Sequence, residues 1–295
     1  MSGPGHEEVE ARSSSLSSSA ATGPAPRERL CIHTITNKPW NIDTAIDEYA
    51  RAGVAGITVW RNAFETRSPA EVGARARDAG LTPVSLCRGG FFPSVDSDAR
   101  RRAVEENRAA IVEAAELGAP LIVLVCGADP RQSLADSRTQ ISEALAELAP
   151  FAREHGVKLG VEPLHPMYAD TRSAVNTLAD ATDICEAVGD SNVGVAVDVY
   201  HLWWDPRLEA EIARCGRLSR LFAFHVCDWR VPTEDFLTDR GLMGEGCIPI
   251  RRIREQVEAS GFDGFNEVEI FSERYWAMDQ REYLSTIIEA YDEHV

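Results

Sequence analysis

Four side chains of the kind that ligate divalent cations stand at or near the ends of four successive apolar segments. Glu162 ends the first segment, Asp198 the second, His225 the third and Glu269 the fourth. Three carboxylates and one imidazole suit a hard or borderline cation, Mn²⁺ or Mg²⁺ before Co²⁺ or Zn²⁺. If the segments are parallel strands of one barrel, their carboxyl ends share one opening. We therefore predict a site for one divalent ion, most plausibly Mn²⁺, held by these four residues.

The alternation of side chains along each segment supports this prediction. Residues two apart share a face of a strand, and small residues stand two positions before the first three ligands, at Gly160, Ala196 and Ala223. Small side chains on the inner face leave room beneath a site, while the larger apolar residues between them face outward. In the fourth segment Glu267 takes the corresponding position. It therefore either competes with Glu269 as a ligand or acts beneath it.

The four segments belong to a strand–helix pattern that runs through most of the chain. Strands are predicted at 30–34, 56–60, 82–87, 120–126, 157–162, 193–198, 221–226 and 265–270. Helices are predicted at 41–52, 69–79, 97–117, 136–155, 174–188, 206–215, 249–260 and 279–294. Eight strictly alternating units predict a closed (β/α)₈ TIM barrel. The rival doubly wound sheet lacks its signature, because no G-x-G-x-x-G follows the first strand.

Composition narrows the class of protein further. The chain has 295 residues and a formal charge of −17, which argues against a nucleic-acid partner. It shows neither an apolar run of membrane-spanning length nor a basic, apolar leader, and its seven cysteines form no C-x-x-C pair. A cytoplasmic protein with reduced thiols is expected. Residues 1–27, rich in Ser, Ala, Gly and Pro, predict a disordered tail, and residues 28–295 a single barrel domain.

Several motifs make the sequence resemble a known superfamily, and the resemblance spans the barrel from about residue 30. They are GVEPLHP (160–166), VGVAVDVYH (193–201), FHVCDW (224–229), FLTDRGLMGEGCIPI (236–250) and GFDGFNEVEIFSERYW (261–276). These resemble the strand-end motifs of the xylose-isomerase-like barrel superfamily, a group of sugar isomerases and epimerases. The resemblance implies that Glu269, rather than Glu267, joins Glu162, Asp198 and His225 on the metal.

The resemblance also implies a mechanism and a set of substrate contacts. In such enzymes the metal polarises a ketone, and two carboxylates, here Glu162 and Glu269, exchange the proton α to the carbonyl through an enediolate. The expected substrate is an unphosphorylated keto-sugar or keto-inositol. Candidate substrate contacts are His201, Arg230, His165, Arg88 and Trp60. Each has a structural alternative, such as Arg230 pairing with Asp228 or Glu234.

Other functions stay open or are disfavoured. A lyase or hydratase acting on 3-keto-glycosides, C-glycosides included, would begin with the same proton abstraction and would use the same residues. The related apurinic-site nucleases carry His ligands after the second and third strands, where this chain has Trp60-Arg61 and Cys87-Arg88. A non-catalytic relic barrel should lack a ligand, and all four are present. Aromatic pairs predicted on the rim, 91–92, 203–204 and 275–276, fit either a sugar-facing wall or the interface of a homo-oligomer.

Overall fold

The computed structural model describes residues 23–295 and shows a closed barrel of eight parallel strands. The barrel strands are β1 (Leu30–His33), β2 (Gly56–Trp60), β3 (Thr82–Gly90), β4 (Leu121–Val125), β5 (Lys158–Glu162), β6 (Val193–Asp198), β7 (Leu221–Val226) and β10 (Asn266–Val268). Strands β1 to β7 pair in sequence order, β7 pairs with β10, and β10 closes the barrel against β1. The predicted (β/α)₈ fold is confirmed.

Helices separate the strands and cover the outside of the barrel. The principal helices are α1 (Ile42–Arg51), α2 (Pro69–Asp78), α3 (Ser97–Leu117), α4 (Leu134–Glu154), α5 (Leu178–Val188), α7 (Leu208–Arg217), α8 (Ile250–Ala259) and α10 (Gln280–His294). Local capping explains several ends: Ser68 and Glu71 form a capping box at α2, and Gly118 ends α3 in the left-handed conformation. Helix α5 begins four residues later than predicted, because the Thr177 side chain caps it by accepting from the backbone N–H of Asp180.

Short elements interrupt the simple alternation at the carboxyl ends of the strands. Helix α6 (Val199–Leu202) directly follows β6, and α9 (Glu273–Trp276) follows β10. A two-stranded antiparallel ribbon, β8 (Asp228–Trp229) with β9 (Arg240–Gly241), follows β7. The ribbon returns the chain to the mouth of the barrel and brings Arg240 close to the predicted ligands.

Packing confirms the predicted alternation of inner and outer faces. Val161, Val197 and Phe224 belong to the main core between strands and helices. A separate small cluster contains Ala196 and Ala223 with other buried side chains of the strands, Cys87, Leu121 and Val123. The small residues therefore face the barrel interior, at the level where Glu267 also lies.

The predicted tail lies mostly outside the described residues, but its last residues, 23–27, are folded onto the barrel. The backbone N–H of Ala25 donates to the carbonyl of Val295, and Arg27 forms an ion pair with Asp292. These contacts place the start of the folded unit before the predicted boundary at residue 28. None of the helices within 23–295 combines the length and apolar character that a membrane crossing needs. All seven cysteines lie in this range and none forms a disulfide.

Candidate metal centre and active site

The four predicted ligands converge at the mouth of the barrel. Glu162, Asp198, His225 and Glu269 each offer a ligand atom, and these atoms lie within 4.8 Å of one another. All four side chains are buried. The arrangement follows from the fold, because β5, β6, β7 and β10 are neighbours in barrel order and the ligands stand at or just after their carboxyl ends. The outer members of the set are Glu162 and Glu269, which therefore face each other across it.

His225 is already paired with another member of this set. Its Nδ1 lies 3.0 Å from Oε1 of Glu162. Burial lowers the pKa of His225, but the hydrogen bond with Glu162 and the charge of Glu267 outweigh burial and raise it to about 9. The Nε2 atom of His225 is buried without a hydrogen-bond partner among residues 23–295. The imidazole thus behaves as a buried cation wherever no metal displaces its proton.

Arg240 places a second positive charge inside the ligand set. Its Nη1 donates to Oδ2 of Asp198 and to Oε2 of Glu269, both at 2.9 Å. The guanidinium also lies over the ring of Tyr200, 4.4 Å from the centroid. Burial raises the pKa of Asp198 and Arg240 lowers it, leaving a net rise to about 6. Each of the three buried carboxylates is therefore paired with a cation: Glu162 with His225, and Asp198 and Glu269 with Arg240. This pairing offsets part of the free-energy cost of burying their charges.

Glu267 and Glu269 take different places, which resolves the ambiguity in the sequence. Glu267 lies beneath the ligand set, where its Oε2 accepts from Thr58 Oγ1 at 2.5 Å and Ser85 Oγ at 3.1 Å. His33 joins the two levels, with Nε2 3.2 Å from Glu267 Oε2 and Nδ1 3.0 Å from Glu269 Oε1. Burial raises the pKa of Glu267, but the hydrogen bond from His33 and nearby charge lower it overall. Glu269 therefore groups with Glu162, Asp198 and His225, whereas Glu267 groups with His33 and His225 one level below.

A small cavity opens directly above the ligands. Its free volume is about 30 Å³, space for roughly two water molecules. The walls consist of residues from several strand ends and loops: Trp60, Cys87, Arg88, Val123, Val125, Glu162, Leu164, Tyr168, Arg172, His201, Leu237, Arg240, Glu269 and Phe271. Leu237, in the loop between β8 and β9, forms part of this wall.

Three of the five predicted substrate contacts lie in this wall: Trp60, Arg88 and His201. Burial and the neighbouring Arg240 lower the pKa of His201 well below its usual range, so its ring is neutral. Trp60 packs edge-on against Phe271, 5.3 Å between ring centroids. These three side chains are placed where they can contact a molecule bound above the metal set.

The other two predicted contacts lie outside the wall. Arg230 forms an ion pair with Asp239 in its own loop, and not with Asp228 or Glu234, the two acids expected from the sequence. His165 packs against Trp229, and its backbone N–H donates to Nδ1 of His201 at 3.3 Å. Arg230 therefore braces the loop after β8, while His165 orients His201.

Sequence reasoning missed three residues of the site, and their signals were weak. Arg240 lies in the Gly-rich segment 236–250, which was recognised as a motif without this residue being singled out. Tyr168 and Arg172 lie in the loop after β5, where nothing in the sequence marks them as facing the site. Of the aromatic pairs predicted on the rim, no member lines the cavity within the described range, and Trp60, Tyr168 and Phe271 form its aromatic walls instead.

The residues present fit a divalent cation. Three carboxylates and one imidazole are the donor set that Mn²⁺, Mg²⁺ or Zn²⁺ accepts. The electrostatics agree, because positive charge from Arg240 and His225 already occupies positions between the carboxylates. A wider groove of about 910 Å³ lies on the outside, between α3 and α4. Its charged residues pair at the surface, as Arg101 does with Asp98, so it offers no comparable convergence of functional groups.

Known proteins share these features to different degrees. The chain is 45% identical to protein SMc04130 from Sinorhizobium meliloti 1021, with a TM-score of 0.87, covering 90% of this chain and 98% of that one. An inosose isomerase of Bacillus velezensis is 28% identical over 232 residues, 76% of this chain and 79% of the relative. The crystal structure of the IolI protein with a bound zinc atom has a TM-score of 0.77 at 21% identity, covering 89% of this chain and 96% of IolI.

A further relative carries out different chemistry. A 3-dehydroshikimate dehydratase of Pseudomonas aeruginosa is 26% identical over 245 residues, which is 80% of this chain but 37% of that protein. The model of the xylose isomerase-like TIM barrel family matches residues 46–291, a span that includes the four ligands and the whole cavity wall. The resemblance seen in the sequence motifs is therefore confirmed, and the chain belongs to the xylose isomerase-like TIM barrel family.

Proposed function

We propose that this protein is a divalent-metal-dependent isomerase or epimerase of a keto-sugar or cyclitol that moves a proton next to a carbonyl group. The observation that carries the proposal is the convergence of Glu162, Asp198, His225 and Glu269 beneath one cavity. The similarity to inosose isomerases supports the same class of enzyme.

The chain's own residues supply the groups that such a proton transfer needs. Glu162 and Glu269 flank the site from opposite sides and both line the cavity. One carboxylate would accept the proton from the carbon beside the carbonyl, and a proton would return at the same or the neighbouring carbon. His33 holds Oε1 of Glu269, and Arg240 holds Oε2, so this carboxylate keeps its position through the transfer.

Neutral His201 and Trp60 are placed to position the substrate. The flat indole of Trp60 suits the apolar face of a sugar ring. His201 adds an uncharged polar ring to the wall, held by the backbone N–H of His165 at Nδ1 and by Arg240 Nη2, 3.1 Å from Nε2. When bound, a divalent ion would supply Lewis-acid polarisation of the substrate carbonyl. Mn²⁺ is our preferred ion for this oxygen-rich set, and the zinc atom in IolI makes Zn²⁺ the first alternative to compare.

A second candidate function is a dehydratase or lyase working from the same residues. The similarity to a 3-dehydroshikimate dehydratase favours it. Removal of the proton α to a ketone creates an electron pair that can expel hydroxide, or the aglycone of a 3-keto-glycoside, from the β carbon. The leaving group then takes up a proton, so elimination differs from isomerisation only after the shared first step.

Proton–deuterium exchange followed by NMR in D₂O, with Mn²⁺ added, tests the proposal. The panel contains keto-inositols, free ketoses, 3-keto-glycosides and 3-dehydroshikimate. Exchange with rearrangement supports the isomerase or epimerase, and exchange with loss of water or an aglycone supports the second candidate. Glu162→Gln and Glu269→Gln should each slow exchange by about 10²–10⁴-fold.

Exposed Glu273→Gln, which changes a carboxylate near the mouth of the barrel but outside the cavity, is the matched control and should leave exchange unchanged. Full exchange by the Glu162→Gln or Glu269→Gln variant would contradict the proposed proton transfer. Full exchange by chelator-treated wild-type protein would contradict the dependence on metal.

A further inference from the structure

Two arginines in the cavity wall lack acidic partners. Arg88 lies near the carboxyl end of β3, and Arg172 lies in the loop after β5. Among residues 23–295 neither guanidinium forms an ion pair, and the buried Nη1 of Arg88 has no hydrogen-bond partner. A buried guanidinium nitrogen without a partner is costly, which makes it a marker of a group that binds there.

Aromatic rings hold both guanidiniums without neutralising them. Arg88 lies over Phe91, with Cζ 4.5 Å from the ring centroid, and Arg172 lies over Tyr168 at 5.5 Å. Stacking of this kind orients a guanidinium plane and leaves its N–H groups free for another partner. Burial and the charge of Arg172 lower the pKa of Arg88, so the two cations also stand close enough to repel each other.

The lack of partners does not reflect a shortage of acidic residues. The chain has 47 Asp and Glu residues against 30 Lys and Arg. In the same region Arg240 is paired with Asp198 and Glu269, and Arg230 with Asp239. Arg88 and Arg172 are therefore left unpaired within a strongly acidic protein, at the place where substrate must enter.

The charge balance of the site points the same way. Four carboxylates, Glu162, Asp198, Glu267 and Glu269, face three guanidiniums, those of Arg88, Arg172 and Arg240. A divalent cation added to this set would give it one net positive charge, even with His33, His201 and His225 all neutral. A monoanionic ligand would restore neutrality in a cavity where uncompensated charge is expensive.

We propose that Arg88 and Arg172 form a subsite for a carboxylate group, so that the natural substrate is an acidic keto compound, such as a keto-sugar acid or a carboxylated cyclic ketone. This inference rests on the proposed function for the keto group and adds the anionic group. Guanidinium forks match the two oxygens of a carboxylate in one plane. A carboxylate carries the single negative charge that the charge balance of the site calls for, whereas a phosphate ester carries nearly two at neutral pH.

Calorimetric titration of the full-length protein, with Mn²⁺ and again with a chelator, tests the subsite by comparing matched probes. D-glucuronate is compared with D-glucose, and quinate with myo-inositol. The wild-type protein should bind the acid of at least one pair about tenfold or more tightly than its neutral partner. Arg88→Gln and Arg172→Gln should each remove most of that preference by weakening binding of the acid far more than binding of the neutral probe. Arg88→Lys should keep part of it, and exposed Arg252→Gln is the matched control for loss of a positive charge.

The outcomes separate the subsite from the proposed reaction. Equal affinity for acid and neutral probes, or no detectable binding of either acid, would overturn the subsite. Equal weakening of both probes in the Arg88→Gln and Arg172→Gln variants would also overturn it, because that result indicates a structural role. Tighter binding of glucose 6-phosphate than of glucuronate would overturn the choice of carboxylate. A retained preference for acids in a protein that shows no metal-dependent proton exchange would refute the proposed function and leave the subsite standing.

Discussion

Arg240→Met should destabilise the metal-free protein strongly, and a divalent ion should reverse most of the loss. The side chain of Arg240 is 4% exposed and donates to two buried carboxylates, those of Asp198 and Glu269, at 2.9 Å each. Removing one partner of a buried ion pair leaves uncompensated charge and costs about 3–5 kcal/mol. For a domain of this size, that loss corresponds to a fall in Tm of roughly 6–20 °C.

The measurement is urea unfolding with chelator present and again with Mn²⁺. Arg252→Met is the matched control, because the Arg252 side chain is 71% exposed and its ion-pair partner Glu209 is exposed as well. The control should lose less than about 1 kcal/mol in either condition. With Mn²⁺ present, the ion supplies positive charge beside Asp198 and Glu269. The free energy of unfolding of the Arg240→Met variant should then approach that of the control variant. Equal stability of the two variants in chelator would refute our account of Arg240. If Mn²⁺ does not reduce the difference in free energy of unfolding between them, the idea that arginine and ion neutralise the same two carboxylates is refuted.

Two other predictions concern the ion and the loop over the cavity. Because the metal-free His225 has a pKa raised to about 9, it is protonated at neutral pH, and a ligating imidazole must be neutral. Binding of Mn²⁺ at pH 7.5 should therefore release about one proton per ion, and this number should fall toward zero above pH 10. Calorimetry in buffers of different ionisation enthalpy measures the number of protons released. No release at pH 7.5 would contradict His225 as a ligand. The hydroxyls of Tyr168 and Tyr200 both donate to the carbonyl of Phe236 and so hold Leu237 over the cavity. The double variant Tyr168→Phe/Tyr200→Phe should speed amide hydrogen exchange in residues 230–239 and leave exchange of the β5 amides unchanged. Equal exchange rates in residues 230–239 of variant and wild type would show that other contacts hold this loop.

The sequence was most informative where one periodic signal decided the outcome. Alternating apolar segments and helices sufficed for the barrel, and parity along the strands placed Glu162, Asp198 and His225 on its inner face. Glu267 and Glu269 share parity, so periodicity could not rank them. The distinction required the end of β10 and the position of His33, which lies more than two hundred residues away in the chain.

Loop residues escaped prediction for a different reason. Arg230 and Arg240 both follow β7, and nothing local shows which guanidinium enters the barrel. The ribbon of β8 and β9 decides it, because pairing of Trp229 with Arg240 turns Arg240 toward Asp198. Such pairing depends on contacts between distant segments, which no short sequence pattern encodes.

The closure of the barrel between its first and last strands has a consequence for how the protein is made. Cys31 pairs with Glu267 across this seam, and His33 reaches over it to Glu269. A nascent chain that has not yet added β10 lacks both Glu269 and the strand that positions His33, so it holds an incomplete ligand set. On the proposed ligand set, a chain whose seam has closed would hold the ion most tightly, and the energy of binding it would oppose reopening at that seam. The metal concentration during synthesis would in this way set the fraction of full-length chains whose barrel stays closed. Chains that still lack β10 would gain less stability from the metal.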